Sequence, residues 1–340
     1  MKVVVLSFYQ GRVTRGVETF VHELSSKLKN QLDLTVYQAG SMPPTPKAVR
    51  PNLLTLFYLD QHSLAIKAFS RRILIRLALN PPDILMPLNN GWMSLLAKRF
   101  CQRYPTKLVL PGFAGISWED RLNLFLKPDA FVACTKHQAD WARTINPRAK
   151  IVTINIGVNT DRFKPEGKKY VHGLTPPVVL CVAGPEAYKR VDLAIKAVAR
   201  LKHTSLLVVG QQTKSTLELG EKLLGSGFKN IQVDYQRLDQ IYRSVDVFTL
   251  ASKACEAYGI SILEALATNL PVVVNDDPIR QELVNNAGIL VKPEDLPAYA
   301  QALQTALHRP PNTQSRRQAL KFSWEIISQQ YRQLWSELIS

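Results

Sequence analysis

The chain has 340 residues, of which 46% are hydrophobic, and it carries a formal net charge of +16. This length and composition exclude a disordered or fibrous chain and are sufficient for two globular domains. No apolar run reaches the roughly eighteen residues of a transmembrane helix, and the short apolar segment after Met1-Lys2 is expected to be a first buried strand rather than a secretion signal. The four widely spaced cysteines indicate buried thiols in a reducing compartment, so a cytoplasmic protein is expected.

The positive charge is concentrated in the first half of the chain. Residues 1–165 contain 23 Lys and Arg against 10 Asp and Glu, a balance of +13, whereas residues 166–340 contain 20 against 17, or +3. Such a basic domain can bind an anionic membrane surface or nucleic acid. The familiar nucleic-acid-binding motifs do not occur in the sequence, so nucleic acid is not expected as a partner.

The first half alternates between strand-like and helix-like segments. The amphipathic helix after the first strand has Val17, Phe20, Val21, Leu24 and Leu28 on one face. This alternation predicts an open α/β sheet. The predicted strands cover residues 3–8, 34–39, 84–88, 107–111, 130–135 and 151–155.

Residues 64–79 form a second predicted helix, which is both basic and amphipathic. Its apolar stripe consists of Ile66, Phe69, Ile73 and Leu77, and Lys67, Arg71, Arg72 and Arg76 flank the stripe. One interpretation is a helix that lies on an anionic membrane surface, peripheral to the inner face of the membrane. The other is a helix whose stripe packs into the domain while its cations remain solvated, and the sequence does not distinguish the two.

The α/β pattern starts again after a segment rich in proline, glycine and lysine at residues 163–177, where an interdomain linker is expected. We therefore predict two doubly wound, Rossmann-like domains at 1–165 and 176–320, facing each other across a cleft, with the ligand at the carboxyl ends of the strands. Residues 321–340 form a final amphipathic helix. The strands of the second series cover residues 178–183, 205–210, 231–234, 247–251, 272–275 and 288–291.

Two glutamates, Glu256 and Glu264, flank a glycine that opens a helix in the second half. A strand-like run precedes them, and after Gly259 apolar residues recur at helical spacing until Asn269 and Pro271 end the helix. The free amides and the dipole at a helix N-terminus suit a phosphate, and glycine lets it approach closely. The alternative is a loop acid and a solvated helix acid, and the spacing alone favours that alternative.

The segment nevertheless resembles the Glu-seven-residues-Glu signature of the retaining glycosyltransferases of family 4, which have the two-domain GT-B architecture. Glu256, Tyr258, Gly259, the run Leu263-Glu264-Ala265 and the run Pro271-Val272-Val273 match it. The resemblance implies that Glu256 acts at the sugar, and that Glu264 binds the ribose hydroxyls of a nucleoside diphosphate sugar. It also implies that the amides of Ile260 and Ser261 bind the diphosphate, and that the final helix at residues 321–340 crosses back onto the first domain.

The loop that begins at Gly184 is similar to the phosphate-binding loop of the same family. Lys189 matches the family lysine and is expected to bind the diphosphate and to assist catalysis. Pro185 replaces the family arginine, and Arg190 replaces a glycine, so we expect Arg190 to compensate for the lost cation.

In the first domain, Gly16 matches one of two paired glycines that the family places near the phosphates, and Arg15 replaces the other. The family histidine near the sugar is missing at the end of the fourth strand. Asn89 and Asn90 are the candidates for polar contacts in its place.

The resemblance therefore implies a retaining glycosyltransferase that moves a hexose from a nucleoside diphosphate sugar to a lipid or saccharide acceptor, with residues 235–238 near the nucleobase. The alternative is a GT-B-like scaffold that binds sugar nucleotides after loss of catalysis. The sequence contains no Asp-x-Asp motif, and the run Asp276-Asp277-Pro278 is expected to form a turn. GT-B enzymes generally work without a metal, so neither a metal nor another cofactor is expected.

Overall fold

The computed structural model describes residues 1–11, 16–40, 62–253, 256–309 and 313–340. Within these residues, twelve β-strands form two sheets of six parallel strands each. The chain divides into two compact units, one of Met1–Ile156 with Trp324–Ser340 and one of Gly157–Ser323. Across these described ranges, no helix is long and apolar enough to cross a membrane.

The first unit contains a sheet with the strand order β2-β1-β3-β4-β5-β6. Four of its strands are buried along almost their whole length, which explains their continuous apolar runs. The strands are β1 (Lys2–Leu6), β2 (Asp33–Tyr37), β3 (Ile84–Pro87), β4 (Lys107–Gly112), β5 (Ala130–Ala133) and β6 (Ile151–Thr153). The helices are α1 (Gly16–Leu28), α2 (Ser63–Leu77), α3 (Trp92–Arg103), α4 (Trp118–Phe125) and α5 (Lys136–Ile145).

The second unit contains a sheet with the strand order β12-β11-β10-β7-β8-β9. Its strands are β7 (Val178–Val182), β8 (Ser205–Val209), β9 (Phe228–Ile231), β10 (Val247–Leu250), β11 (Val272–Asn275) and β12 (Ile289–Val291). Its helices are α6 (Val191–Val198), α7 (Lys214–Leu224), α8 (Leu238–Tyr242), α9 (Ile260–Ala267), α10 (Pro278–Val284), α11 (Leu296–Leu307) and α12 (Gln314–Leu320).

The order of the second sheet places a topological switch point between β7 and β10. From β7 the chain builds outward through β8 to β9, and it then returns to the other side of β7 with β10. The helices that follow β7 and β10 therefore leave in opposite directions, which opens a crevice at the carboxyl ends of these two strands. In doubly wound sheets this crevice is the usual ligand site.

Eleven of the twelve predicted strands are confirmed in place, and the α/β fold class is confirmed with them. The β9 prediction was shifted, because the sequence pattern indicated residues 231–234 and the strand covers Phe228–Ile231. The strand begins directly after the short turn Gly225–Gly227, and the ring of Phe228 packs so closely on Gly220 that an added Cβ there would lie 2.5 Å from it.

The C-terminal helix α13 (Trp324–Ile339) belongs to the first unit, where it packs against α1. The ring of Phe20 lies 5.6 Å from that of Trp324 and 5.4 Å from that of Tyr331. Trp324, Tyr331 and Trp335 are almost fully buried. Aromatic burial on this scale explains why the end of the chain joins the first unit.

Residues 157–175 pack with the second unit, so the division after Ile156 lies ahead of both the predicted domain end at 165 and the predicted linker. Arg316 donates to the carbonyl groups of Thr160 (3.1 Å) and Phe163 (3.1 Å). Arg243 donates to the carbonyl of Lys168 (2.8 Å), and the ring of Phe163 lies 5.7 Å from that of Tyr242. Two arginines and one buried aromatic ring thus fix a segment whose composition is typical of a loop.

The apolar stripe predicted for the basic helix packs into the core of the first unit. Ile66, Phe69, Ile73 and Leu77 are all buried in α2, within the hydrophobic cluster that includes Phe8 and Phe100. The core-facing interpretation of this stripe is therefore confirmed, and the stripe is not the surface that could contact lipid.

Candidate functional site

The loops that follow β7 and β10 are tied together at the switch point of the second sheet. The backbone amide of Lys253 donates to the carbonyl of Tyr188 (2.8 Å), and the Nε of Arg190 donates to the carbonyl of Ala251 (2.6 Å). Residues 254 and 255, including Cys255, lie outside the described residues. The two loops carry the predicted site residues Lys189 and Glu256 to the same place.

Lys189 and Glu256 form an ion pair. Lys189 ends a short 3-10 turn, Ala187–Lys189, and its Nζ donates to Oε1 of Glu256. The two side chains are only 16% and 11% exposed, so solvent screens the pair weakly. The structure thus brings together the two residues predicted to act in catalysis.

Arg280 provides a second cation for Glu256, and the sequence analysis did not identify it. Its Nη2 lies 3.1 Å from Oε2 of Glu256 and donates to Oγ of Ser252 (2.7 Å), while its Nη1 lies 3.3 Å from Oδ2 of Asp277. The side chain is completely buried. Glu256 is therefore held between two cations, one on each carboxylate oxygen.

The cations determine the ionisation of Glu256. Burial by itself raises the pKa of this carboxyl group, but the charges of Lys189 and Arg280 outweigh burial, and the pKa is lowered below its ordinary value. Glu256 is consequently a carboxylate at neutral pH. A fixed negative charge in a crevice can stabilise positive charge that develops on a bound molecule.

Gly259 opens α9 in a conformation that favours glycine. Its φ is +99° and its ψ is 58°, and the helix begins at the next residue, Ile260. The first amides of an α-helix have no partner within the helix, so those of Ile260 and Ser261 are suited to an anion. At the other end of α9, Asn269 has a φ of +63°, which confirms the predicted left-handed stop.

We expect Gly259→Ala to lower the free energy of unfolding by about 1–2 kcal/mol, because a Cβ atom is disfavoured at this φ. The added Cβ would also lie 3.1 Å from Cδ1 of Ile262. Urea unfolding monitored by circular dichroism measures the change. Gly40→Ala is the matched control, since Gly40 has open space around its Cβ position and no positive φ. Equal stability of the two variants would contradict the prediction.

Glu264 lies on α9 in a buried cluster of hydroxyl groups. Tyr242 donates to its Oε2 (2.8 Å) and Tyr235 donates to its Oε1 (3.2 Å). The side chain of Arg162 stacks on Tyr235, with its guanidinium carbon 4.2 Å from the ring centre. Burial is the main influence on Glu264 and raises its pKa to about 7, although the two hydroxyls and Arg162 oppose this shift.

Gly184 and Arg190 complete the predicted site residues in the second unit. A Cβ at Gly184 would lie 2.4 Å from Oε2 of Glu186, so the loop is narrow at this point. Arg190 has a φ of +50°, and its guanidinium contacts Ala251 and forms an ion pair with Glu294. It therefore turns toward the end of β10 and lies beside the Glu256 loop.

In the first unit, the residues that follow β3 and β4 form a buried polar cluster. Asn90 accepts a hydrogen bond from Asn123 (2.7 Å), and Asp120 accepts from Gln138 (3.1 Å) and from the amide of Ala114 (3.1 Å). Burial, followed by the charge of Glu119, raises the pKa of Asp120 well above its ordinary value. This cluster lies where the sequence lacks the family histidine.

Two other predictions concern the first unit. Asn89 accepts from the amide of Phe8 (2.9 Å), so it joins the ends of β1 and β3. Gly16 begins α1 and is exposed, and its predicted phosphate contact stays a prediction. Arg15 lies outside the described residues.

The predicted turn at Asp276-Asp277-Pro278 is instead the start of the helix α10, which carries Arg280. Oδ1 of Asp277 accepts from the amides of Ile279 (3.0 Å) and Arg280 (3.1 Å), and Pro278 occupies the first helical position. An aspartate followed by proline is a recognised helix start, so this signal was present. The pairing of Arg280 with Glu256 had no local signal, because Arg280 lies on α10 and Glu256 lies on the loop after β10.

Comparison with known proteins relates the second unit to one family. Residues 163–321 match the family model described as Glycosyl transferases group 1. The chain is 28% identical over 201 residues to the lipopolysaccharide core biosynthesis mannosyltransferase LpsB of Rhizobium meliloti. That alignment covers 53% of this chain and 55% of LpsB, so it spans about half of each protein.

Solved structures resemble the whole chain in fold. Sucrose-phosphate synthase from Thermosynechococcus elongatus has a TM-score of 0.79 at 18% identity, with 99% of this chain and 98% of that chain covered. HepE of Anabaena, in complex with UDP and glucose, has a TM-score of 0.71 at 16% identity, with 99% of both chains covered. At such identities the likeness establishes the fold and nothing finer.

Proposed function

We propose that the chain is a retaining glycosyltransferase that uses a nucleoside diphosphate sugar, and the match of residues 163–321 to the model of the glycosyl transferases group 1 supports this. The donor sugar is a hexose, and the acceptor is a lipid or a saccharide. The observation that carries the proposal is the ionised Glu256, which lies beside Lys189 at the switch point of the second sheet. HepE with UDP and glucose, and the mannosyltransferase LpsB, support this class of donor.

The proposed roles follow from the charges in the second unit. Lys189 and the amides at the start of α9 bind the diphosphate. Arg190 lies beside the same loop and provides a further positive charge for the diphosphate, so no metal is required. Glu264 accepts hydrogen bonds from the ribose hydroxyls. Glu256 stabilises positive charge at the anomeric carbon.

The proposed reaction needs no separate strong base. The bond between the anomeric carbon and the diphosphate oxygen breaks, and the acceptor oxygen bonds to the same face of that carbon. The acceptor proton passes to the leaving phosphate oxygen. The protein positions both groups and stabilises the charges, and it does not form a covalent bond to the sugar.

The experiment is a screen of UDP-, GDP- and ADP-sugars for binding and hydrolysis, with and without glycan and lipid acceptors. Binding together with turnover of at least one donor is expected. The scaffold alternative, motivated by Pro185 and the missing histidine, predicts binding without turnover. Absence of binding by every donor would contradict both.

We further propose that the first unit binds an anionic membrane surface through the outer face of α2. This face differs from the stripe predicted from the sequence. Leu64, Ile75 and Leu79 are 62%, 63% and 91% exposed, and Arg71, Arg72 and Arg76 are exposed between them. A shallow groove of about 530 Å³ runs along the face, lined by Leu64, Lys67, Ala68, Arg71, Arg72, Ile75 and Arg76. Exposed apolar side chains bordered by cations suit the boundary between acyl chains and anionic headgroups.

We expect the protein to sediment with anionic vesicles at low salt and not with neutral vesicles. Replacing Arg71, Arg72 and Arg76 with glutamine should lower the affinity for anionic vesicles about 100-fold, because each cation near anionic lipid contributes about 1 kcal/mol of binding free energy. The control replaces Arg200, Lys214 and Lys222 of the second unit with glutamine and should bind as the wild type does. If the protein sediments with neither the anionic nor the neutral vesicles, the membrane proposal is wrong.

A further inference from the structure

Glu256 has two cations, and they differ in how firmly they are fixed. Arg280 is completely buried, and it contacts Asp277 and Ser252 as well as Glu256. Lys189 lies at the end of a 3-10 turn, keeps 16% of its side chain exposed, and contacts one oxygen of Glu256. One cation is therefore part of the core, and the other lies at the surface of the crevice.

From this asymmetry we infer that Lys189 exchanges between Glu256 and the diphosphate of the donor, and that Arg280 is the positioning residue that makes the exchange possible. The inference rests on the proposed function. When a diphosphate arrives, Lys189 can turn to it, because Arg280 still compensates the charge of Glu256. Without Arg280, Glu256 would be left as a buried charge with no cation, which is strongly unfavourable.

The exchange couples donor binding to the accessibility of one carboxylate oxygen of Glu256. Before the donor binds, Lys189 covers one oxygen of the carboxylate. After the exchange, that oxygen is uncovered, while Arg280, which also bonds to Ser252, continues to hold the other carboxylate oxygen. A carboxylate with one open oxygen is available to the sugar only once the diphosphate is in place. Arg280 acts through Glu256 in this scheme and does not touch the donor.

The experiment is a double-variant cycle that measures the affinity for UDP, GDP and ADP by calorimetry. Lys189→Met should weaken binding of the preferred diphosphate by 10-fold or more, since a charge-assisted hydrogen bond is lost. Glu256→Gln should strengthen binding several-fold, because Lys189 no longer has to leave a carboxylate. In the Lys189→Met background, Glu256→Gln should give no such gain. An equal gain in both backgrounds would overturn the exchange.

Arg280→Met should weaken diphosphate binding several-fold, because Glu256 then holds Lys189 more tightly. The same change in the Glu256→Gln background should have no effect on affinity, whereas a merely structural role of Arg280 would weaken binding in both backgrounds. Arg280→Lys keeps the charge and should bind the diphosphate almost as tightly as the wild type does. It tests the role of the charge if Arg280→Met does not fold. If no diphosphate binds the wild type, the proposed function fails. If diphosphate binds and the effects are additive, the exchange alone fails.

Discussion

Replacement of Glu256 by glutamine is expected to reduce sugar transfer by at least about 100-fold. The carboxylate is ionised, and it is the acidic group that the structure places against Lys189 in the crevice between β7 and β10. Loss of one preorganised electrostatic group in an active site typically costs a factor of about 100–1,000 in rate. Glutamine has nearly the same shape, so the change removes charge and little volume.

The measurement is the transfer rate at saturating donor, with diphosphate affinity determined in parallel. Glu256→Gln should lose transfer while it keeps or gains affinity, which separates a chemical defect from a binding defect. The control is Glu218→Gln on α7, which removes the same charge from a side chain that is 63% exposed. Full transfer by Glu256→Gln would rule out the proposed role.

The sequence was sufficient for the fold because the strands are buried. Parallel strands with helices on both faces are apolar along their length, so β1, β7 and β10 stand out as uninterrupted runs. The edge strand β9 has no buried residue, and its prediction was shifted along the chain. The strands β2, β6 and β12 have no buried residue either and were still predicted to within two residues, so burial alone does not explain the shift of β9.

The resemblance to the family identified Lys189 and Glu256, and the doubly wound sheet explains why they meet, because it collects the carboxyl ends of its strands. Lys189 and Glu256 are far apart in sequence, and they meet because β7 and β10 are neighbours. Arg280 reaches the same place from the helix after β11. Nothing in its local sequence distinguishes it from a solvated arginine, so it required the three-dimensional structure.

For the basic helix α2, the sequence could not show which of two apolar faces is buried. Its sequence contains apolar residues on two faces, and the pattern alone selected the stripe of Ile66, Phe69, Ile73 and Leu77. The core buries that stripe and leaves Ile75 exposed. A helix that packs on one side and binds on the other needs apolar residues on both faces, and periodicity cannot tell which face is covered.

Replacement of Glu264 by glutamine is expected to stabilise the protein above neutral pH and to weaken donor binding. The pKa of Glu264 is raised to about 7 in the folded protein, against 4.5 for an ordinary glutamate. Its contribution to stability is therefore fully present below pH 4.5 and is lost as the pH rises to about 7. A difference of this size corresponds to roughly 3 kcal/mol, at 1.36 kcal/mol for each pKa unit. Glutamine carries no charge, so the variant should not lose this stability.

Urea unfolding at pH 5 and pH 8 tests this expectation. The two proteins should differ little at pH 5 and by up to roughly 3 kcal/mol in favour of Glu264→Gln at pH 8, because the pKa of about 7 already includes the hydrogen bonds from Tyr235 and Tyr242. Diphosphate affinity at pH 8 should fall at the same time, because an amide oxygen accepts hydrogen bonds from the ribose more weakly than a carboxylate does. A buried acid that costs stability at working pH and improves binding is typical of a functional position. A variant that is less stable than the wild type at pH 8 would show instead that the carboxylate stabilises the fold.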